Sequence, residues 1–377
     1  MASPSEAPAF LALLRQERGA EEALRDDDLF TNELVWRAMY ARLLERGYAL
    51  RPRYLPESSL ASSGENVVDE ERRIPLPPRH NVIDATRLSD GEMVYIKRIR
   101  TSSDEGAIFQ FLNGDGVRNE PFNHAAPLWD YFPDDINPDA SCMVMPFLRE
   151  FDDPPFERVD DCMRFILQVL EGLVHMHQHH IAHRDISAKN VLMNAREMYP
   201  VGHHPVRQDR LPDGVSGKAP RLARWKVNVD YHYIDFGLST HFDPNTTSDD
   251  RKVLNIGGRT RAPEQSRTIP FDPFKADIYS LGRLLYMSIF KVYSNIDFVA
   301  PLIKNMTAKQ PDSRPTAYEA LAQWRQISSA VGPFARTRRL RERKAIFIYT
   351  LIVSIFDLFE SLLILLLYRS RISREDV

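Results

Sequence analysis

The run His183-Arg-Asp-Ile-Ser-Ala-Lys-Asn190, followed about 45 residues on by Tyr233-Ile-Asp-Phe-Gly237 and then by Ala262-Pro-Glu264, decides how this chain is read. Any one of these short stretches could be a turn met by chance. Three in this order, each flanked by apolar residues, are not. Each stretch carries a polar side chain suited to a reaction site, Asp185 and Asn190 in the first and Asp235 in the second.

The segments upstream of this core are strand-like and those downstream are helical. From Asn81 to Arg100, VIDATRL, a Ser-Asp-Gly turn at Ser89 to Gly91, and MVYIKRI read as a β-hairpin. Residues 1 to about 60 read as helical: Ser3 with Glu6 forms a capping box, and ELVWRAMYARLLERGY spaces its apolar residues at three and four. Pro52 and Pro56 stop that pattern, and SSGENVVDEERR with Pro75, Pro77 and Pro78 reads as a linker. Beyond residue 155 come CMRFILQVLEGLVHMH, a turn-rich insertion over about 195–223, the strand WKVNVDYHYIDFG, and the helices ADIYSLGRLLYMSIF and AYEALAQWRQI. Strands first and helices later predict an α+β protein with two lobes. The layout is a helical extension over 1–65, a main domain over 66–330, a basic linker over 331–344 and a hydrophobic helix over 345–368.

Composition narrows the function. The chain has 377 residues, 43% hydrophobic and 27% charged, with a net charge of −3. Without a basic excess to neutralise phosphates, no nucleic-acid partner is expected. Two cysteines, Cys142 and Cys162, exclude a disulfide framework and favour a reducing compartment; both are read as packed thiols. The N-terminus lacks a basic region followed by an apolar run, so no signal peptide is expected and the chain is read as cytoplasmic.

His183–Asn190 resembles the catalytic loop of protein kinases, Asp235-Phe-Gly their metal-binding motif, and Ala262-Pro-Glu their activation-segment end. The resemblance covers about residues 66 to 330. It implies a small β-rich N-lobe and a large helical C-lobe, with ATP and Mg²⁺ as cofactors and a protein hydroxyl as acceptor. Residue by residue, it implies Asp185 as base, Asn190 and Asp235 as Mg²⁺ ligands, and Lys97 in Val94-Tyr-Ile-Lys97 on the α- and β-phosphates. Glu105 is expected to orient Lys97, with Glu120 as the alternative. Val144 is expected at the back of the adenine pocket, with backbone groups of Met145 to Phe147 facing the base. Asp277 resembles the aspartate that anchors the catalytic loop, and Arg314 the partner of Glu264. LLERGYALRPRYLP, the insertion and the HRDIS form further resemble divergent kinases of mushroom-forming fungi.

The chain departs from that family at two places. No G-x-G-x-x-G precedes Lys97, so the backbone cover that most protein kinases lay over the phosphates is missing. Ser187 stands where serine/threonine kinases usually carry a lysine, with Lys189 two places later; Thr260 in Gly258-Arg-Thr-Arg-Ala262 points back to serine/threonine as acceptor. A membrane-attached pseudokinase that binds partners through a kept shape is the alternative, and a small-molecule kinase the third reading. Arg184 could pair with a phosphate on Thr246, Thr247 or Ser248.

Two segments call for separate readings. HMHQHHIAHRD holds five histidines, but with no ordered cysteine or carboxylate close by in sequence it is read as a helix face rather than a zinc site. AIFIYTLIVSIFDLFESLLILLLY, from Ala345 to Tyr368, is long enough to span a membrane, and ARTRRLRERK before it would keep the main domain cytoplasmic, as in a tail anchor. Asp357 and Glu360 interrupt the run, so an amphipathic helix packed on the lobe or on a partner, both carboxylates facing water, is the other reading.

Overall fold

The computed structural model describes residues 31–55, 81–247, 249–254, 257–344 and 357–366. They fall into two compact units. The first holds the described residues up to Gly106, with Leu128–Phe147 and Tyr199–Arg221; the second holds Ala107–Pro127, Leu148–Met198 and the described residues from Leu222 onward.

The first unit is a helix on a five-stranded sheet. Helix α1 (Thr31–Glu45) is followed by β1 (Tyr48–Leu50), β2 (Val82–Arg87), β3 (Glu92–Arg100), β4 (Asp130–Pro133) and β5 (Ala140–Pro146). The order across the sheet is β1-β2-β3-β5-β4, antiparallel throughout. The expected hairpin is β2–β3. Its turn closes at Gly91, whose φ of +73° suits a residue without Cβ, and Arg87 reaches across to Asp90. Val35, Trp36, Met39 and Leu43 form one face of α1 and bury against Ile83, Ala85, Val94, Ile96 and Val144. Each such side chain contributes about 1.5–3 kcal/mol.

The sequence reading ends a helical extension near residue 65, yet β1 lies inside that stretch and forms an edge of the sheet, with Tyr48 opposite Arg87 and Leu50 opposite Ala85. Three residues are too few to show the period-two pattern that identifies a strand. Buried ion pairs fix the chain just beyond β1. Arg51 bonds Asp84 at 2.7 Å, while Arg53 and the Tyr54 hydroxyl converge on Glu33 of α1 at 2.8–2.9 Å. Ser3, Glu6 and the polar linker around residues 62–73 lie outside the described residues.

The second unit is mostly helical. Helix α2 (Asp104–Leu112) begins in the first unit and ends here; β6 (Arg149–Glu150), β8 (Val191–Asn194) and β9 (Asp230–Tyr233) form one small sheet, and β7 (Ile181–Ala182) pairs with β10 (Thr240–His241). The main helices are α3 (Val159–Gln178), α4 (Pro273–Leu285), α5 (Ala300–Met306), α6 (Ala317–Ser329) and α7 (Pro333–Thr337). Helix α3 buries Phe165, Ile166, Val169, Leu170 and Leu173 at the three-and-four spacing seen in the sequence. Asp272 caps α4, and Thr316 with Glu319 makes the capping box of α6. Cys142 and Cys162 are buried, and burial pushes the Cys142 thiol up to about 12 and Cys162 well above its usual value, so neither ionises readily.

Two segments differ from their expected form. The turn-rich insertion is not a plain surface excursion: His203 and His204 are buried, and the His203 ring meets Tyr199 at 4.8 Å and Phe147 at 5.5 Å. The stretch read as a basic linker contains α7, and its arginines are bonded, Arg338 to Asp357, Arg339 to Glu360 and Arg343 to the carbonyl of Phe290.

No helix among the described residues is long and apolar enough to cross a membrane, so the expected tail anchor is not supported. Residues 345–356 and 367–368 of the expected span lie outside the described residues; residues 357–366 form a helix, α8. Its two carboxylates are not both turned to water. Asp357 is buried and accepts Arg338 Nε at 2.6 Å and the Arg339 N–H at 2.8 Å. Glu360, with 37% of its side chain exposed, is held by arginines, Arg339 and buried Arg158, the latter at 2.7 Å. Burial alone would raise Glu360, but hydrogen bonding from Arg339 and the charge of Arg158 hold it below the usual carboxylate range. The acidic residues that broke the apolar run are the groups that attach the helix.

Candidate active site

In the first unit, β3 delivers Lys97 and the first turn of α2 delivers Glu105. Lys97 Nζ lies 2.5 Å from Glu105 Oε1, and both residues are about nine-tenths buried. A lysine at this depth needs a carboxylate to remain charged. Eight residues is a short separation, yet Thr101–Ser103 turns the chain so that α2 starts at Asp104 and points Glu105 back at the strand. The alternative, Glu120, belongs to the second unit, where it meets His175 and His179.

In the second unit, the loop between β7 and β8 presents Asp185. Asn190 Nδ2 donates to both the Asp185 carbonyl and its Oδ2, each at 2.9 Å, and the Arg259 N–H donates to Oδ1 at 2.8 Å. The Asn190 amide nitrogen faces Asp185, which leaves Oδ1 as the side-chain atom that could take a metal. The Ile234 N–H donates to the main-chain carbonyl of Asn190 at 3.0 Å, one residue before Asp235. An aspartate carboxylate and an asparagine amide oxygen are the hard donor pair that fits Mg²⁺.

Backbone strain gathers at this place. Of the non-glycine residues at positive φ among those described, His180, Arg184 and Asp235, at +58°, +67° and +65°, flank or form the two motifs. Buried Asp277 holds the loop in that shape by accepting the His183 and Arg184 N–H groups, each at 2.7 Å. Phe236 is fully buried, 5.6 Å from Phe109 and 5.1 Å from His183. Arg314 makes a two-pronged pair with Glu264 at 2.6 and 2.7 Å and donates to the carbonyls of Lys275 and Ala308.

Gly258 closes the approach to Asp185. Its φ is +84°, and a Cβ there would lie 2.7 Å from the Arg184 carbonyl oxygen and 2.9 Å from Asp185 Oδ1. Gly258→Ala is therefore expected to cost about 2–3 kcal/mol from backbone strain and overpacking, read as a lower midpoint in urea unfolding.

Some expected contacts differ. The Phe147 N–H bonds the Met93 carbonyl at 3.1 Å, and its ring stacks on Tyr95 at 4.4 Å, so that donor is committed to the sheet rather than turned to a base. Met145 stands in the ladder opposite Tyr95, one place after Val144. Arg184 donates to the Leu238 carbonyl and the Thr240 hydroxyl, both at 3.0 Å; burial lowers its pKa. Thr247 bonds Asp250, and Ser248 lies outside the described residues. The histidine run meets a carboxylate after all: Glu120, 55 residues before His175, reaches His175 and His179. Sequence distance concealed that contact.

Comparison with known proteins finds similarity to protein kinases. Residues 148–297 match the family model of the protein kinase domain. Calcium-dependent protein kinase 4 of Plasmodium berghei is 28% identical over 127 residues, 34% of this chain and 18% of that protein. The dual specificity protein kinase zakA of Dictyostelium discoideum is 26% identical over 124 residues, 33% of this chain and 13% of that protein. A light-sensor protein kinase of Ceratodon purpureus is 25% identical over 153 residues, 37% of this chain and 10% of that protein. The matches thus span less than a fifth of these relatives. Asp185, Asn190, Asp235, Glu264 and Asp277 all lie inside the stretch that matches a protein kinase domain.

Proposed function

We propose that this chain is a protein kinase that transfers the γ-phosphate of ATP to a serine or threonine hydroxyl of a protein. The observation that carries the reading is the fixed group of Asp185, Asn190 and Asp235 on two strained loops. When bound, Mg²⁺ supplies charge neutralisation on the phosphates; Asp235 and the Asn190 amide oxygen are the residues to hold it. Asp185 accepts the hydrogen bond of the attacking hydroxyl; each of its carboxylate oxygens has one donor, from Asn190 Nδ2 or the Arg259 N–H, and keeps a lone pair for it. Thr260 beside Arg259 supports a serine/threonine acceptor. Lys97, oriented by Glu105, is the group for the α- and β-phosphates. The narrower likeness to kinases of mushroom-forming fungi rests on LLERGYALRPRYLP and the HRDIS form.

A pseudokinase scaffold is the second reading, favoured by one observation. β1 and β2 are joined by residues 51–81, a connection with a single glycine, Gly64, where a glycine-rich turn would cover phosphates. The test is transfer from labelled ATP with Mg²⁺ to a mixed Ser, Thr and Tyr peptide library by the full-length chain. Transfer lost in Asp185→Ala supports the enzyme and identifies the acceptor. ATP and Mg²⁺ bound without transfer sinks it in favour of the scaffold.

A further inference from the structure

One cluster has no part in the kinase reading. His175 and His179 are four residues apart at the end of α3, so both rings leave the same face, with centroids 4.7 Å apart. The carboxylate between them is Glu120, on the loop after α2. Its Oε2 lies 2.6 Å from His179 Nε2 and 3.2 Å from His175 Nε2. That loop is held in place: Asn123 Nδ2 donates to the carbonyls of Leu112 at 2.8 Å and Val117 at 3.1 Å.

His175 adds an independent sign. The residue is 2% exposed, and neither ring nitrogen has a hydrogen-bond partner, because Nε2 sits near Glu120 but off the line that a hydrogen bond needs. Buried polar atoms are nearly always satisfied. A metal ion would satisfy this one by taking the Nε2 lone pair directly. The three ligand atoms lie within 4.8 Å of one another. Bonds of about 2.0–2.1 Å in a tetrahedron place neighbouring ligand atoms about 3.3 Å apart, close to the 3.2 Å seen between His175 and Glu120. The His179–Glu120 contact is a hydrogen bond at 2.6 Å, and loss of its proton to a metal would open it by about 0.7 Å. Glu120, with 39% of its side chain exposed, has room for that movement.

We propose that Glu120, His175 and His179 bind a divalent transition ion of the zinc class, with water in the fourth position. Two imidazoles and one carboxylate suit Zn²⁺; Mg²⁺ and Ca²⁺ prefer an all-oxygen shell. His179 caps α3, and Asp185 follows six residues later, so the ion ties the loop after α2 to the helix end from which the catalytic loop departs.

The test uses the full-length chain, stripped with a chelator and titrated with zinc chloride in excess Mg²⁺. The wild type is expected to bind one equivalent at this site, to rise in Tm, and to give the visible bands of a tetrahedral centre when loaded with Co²⁺. Glu120→Gln and His179→Ala are each expected to weaken that equivalent by at least about tenfold and to lose the cobalt bands. Glu120 is exposed enough for Glu120→Gln to keep the metal-free Tm of the wild type, which separates lost binding from lost folding. The site is overturned if the wild type binds no zinc, if both variants bind it as tightly, or if Mg²⁺ displaces it.

Discussion

Asp185→Ala is expected to lower phosphate transfer by about 10²–10⁴-fold, the span removed with a positioned acid–base group. The carboxylate is the acceptor for the Asn190 side chain and the Arg259 N–H at once, so its loss also releases two donors. Asp185→Asn separates these effects. It keeps the size, but its amide nitrogen must face either Asn190 Nδ2 or the Arg259 N–H, a donor against a donor. Asparagine is therefore expected to match alanine in transfer rate without restoring stability, checked by single-turnover kinetics beside thermal unfolding. Transfer by Asp185→Ala within threefold of wild type would remove Asp185 from the chemistry.

The second large effect concerns stability. Glu264→Ala leaves the buried Arg314 guanidinium with carbonyl partners and no counter-charge, and breaking one side of such a pair costs about 3–5 kcal/mol. For a unit of this size that corresponds to a Tm lower by about 10 °C. Glu264→Gln keeps one acceptor and is expected to lose less. Equal unfolding midpoints for wild type and Glu264→Ala would show that the carbonyls of Lys275, Ala308 and Lys309 suffice.

The second unit was far more legible than the first. Its chemistry sits in contiguous motifs, and the long amphipathic repeat of α3 shows its buried face directly. The pair Glu264–Arg314 was readable because each partner sits in its own recognisable motif, although 50 residues separate them. What stayed hidden was formed by contacts without a local pattern. β1 is three residues long and precedes a proline, so nothing in its composition marks it as an edge strand. Glu120 was weighed only as the alternative partner of Lys97, because its histidine partners lie on an element that the fold, not the sequence, brings near. Asp357 and Glu360 were weighed as charges against lipid or water, since Arg158, their partner, is about 200 residues away.

That last link bears on how the protein can be handled at the bench. The greasy tail is the part first trimmed to improve yield, and a cut near residue 335 looks harmless on a hydropathy plot. Such a fragment would lose Asp357 and Glu360 together and strand Arg158, which is 2% exposed at the head of α3. Any shortened version that is meant to fold should therefore run past Ser361, whose hydroxyl bonds Asp357 and the carbonyl of Thr337. A trimmed chain found inactive would report a broken clasp rather than a missing activity.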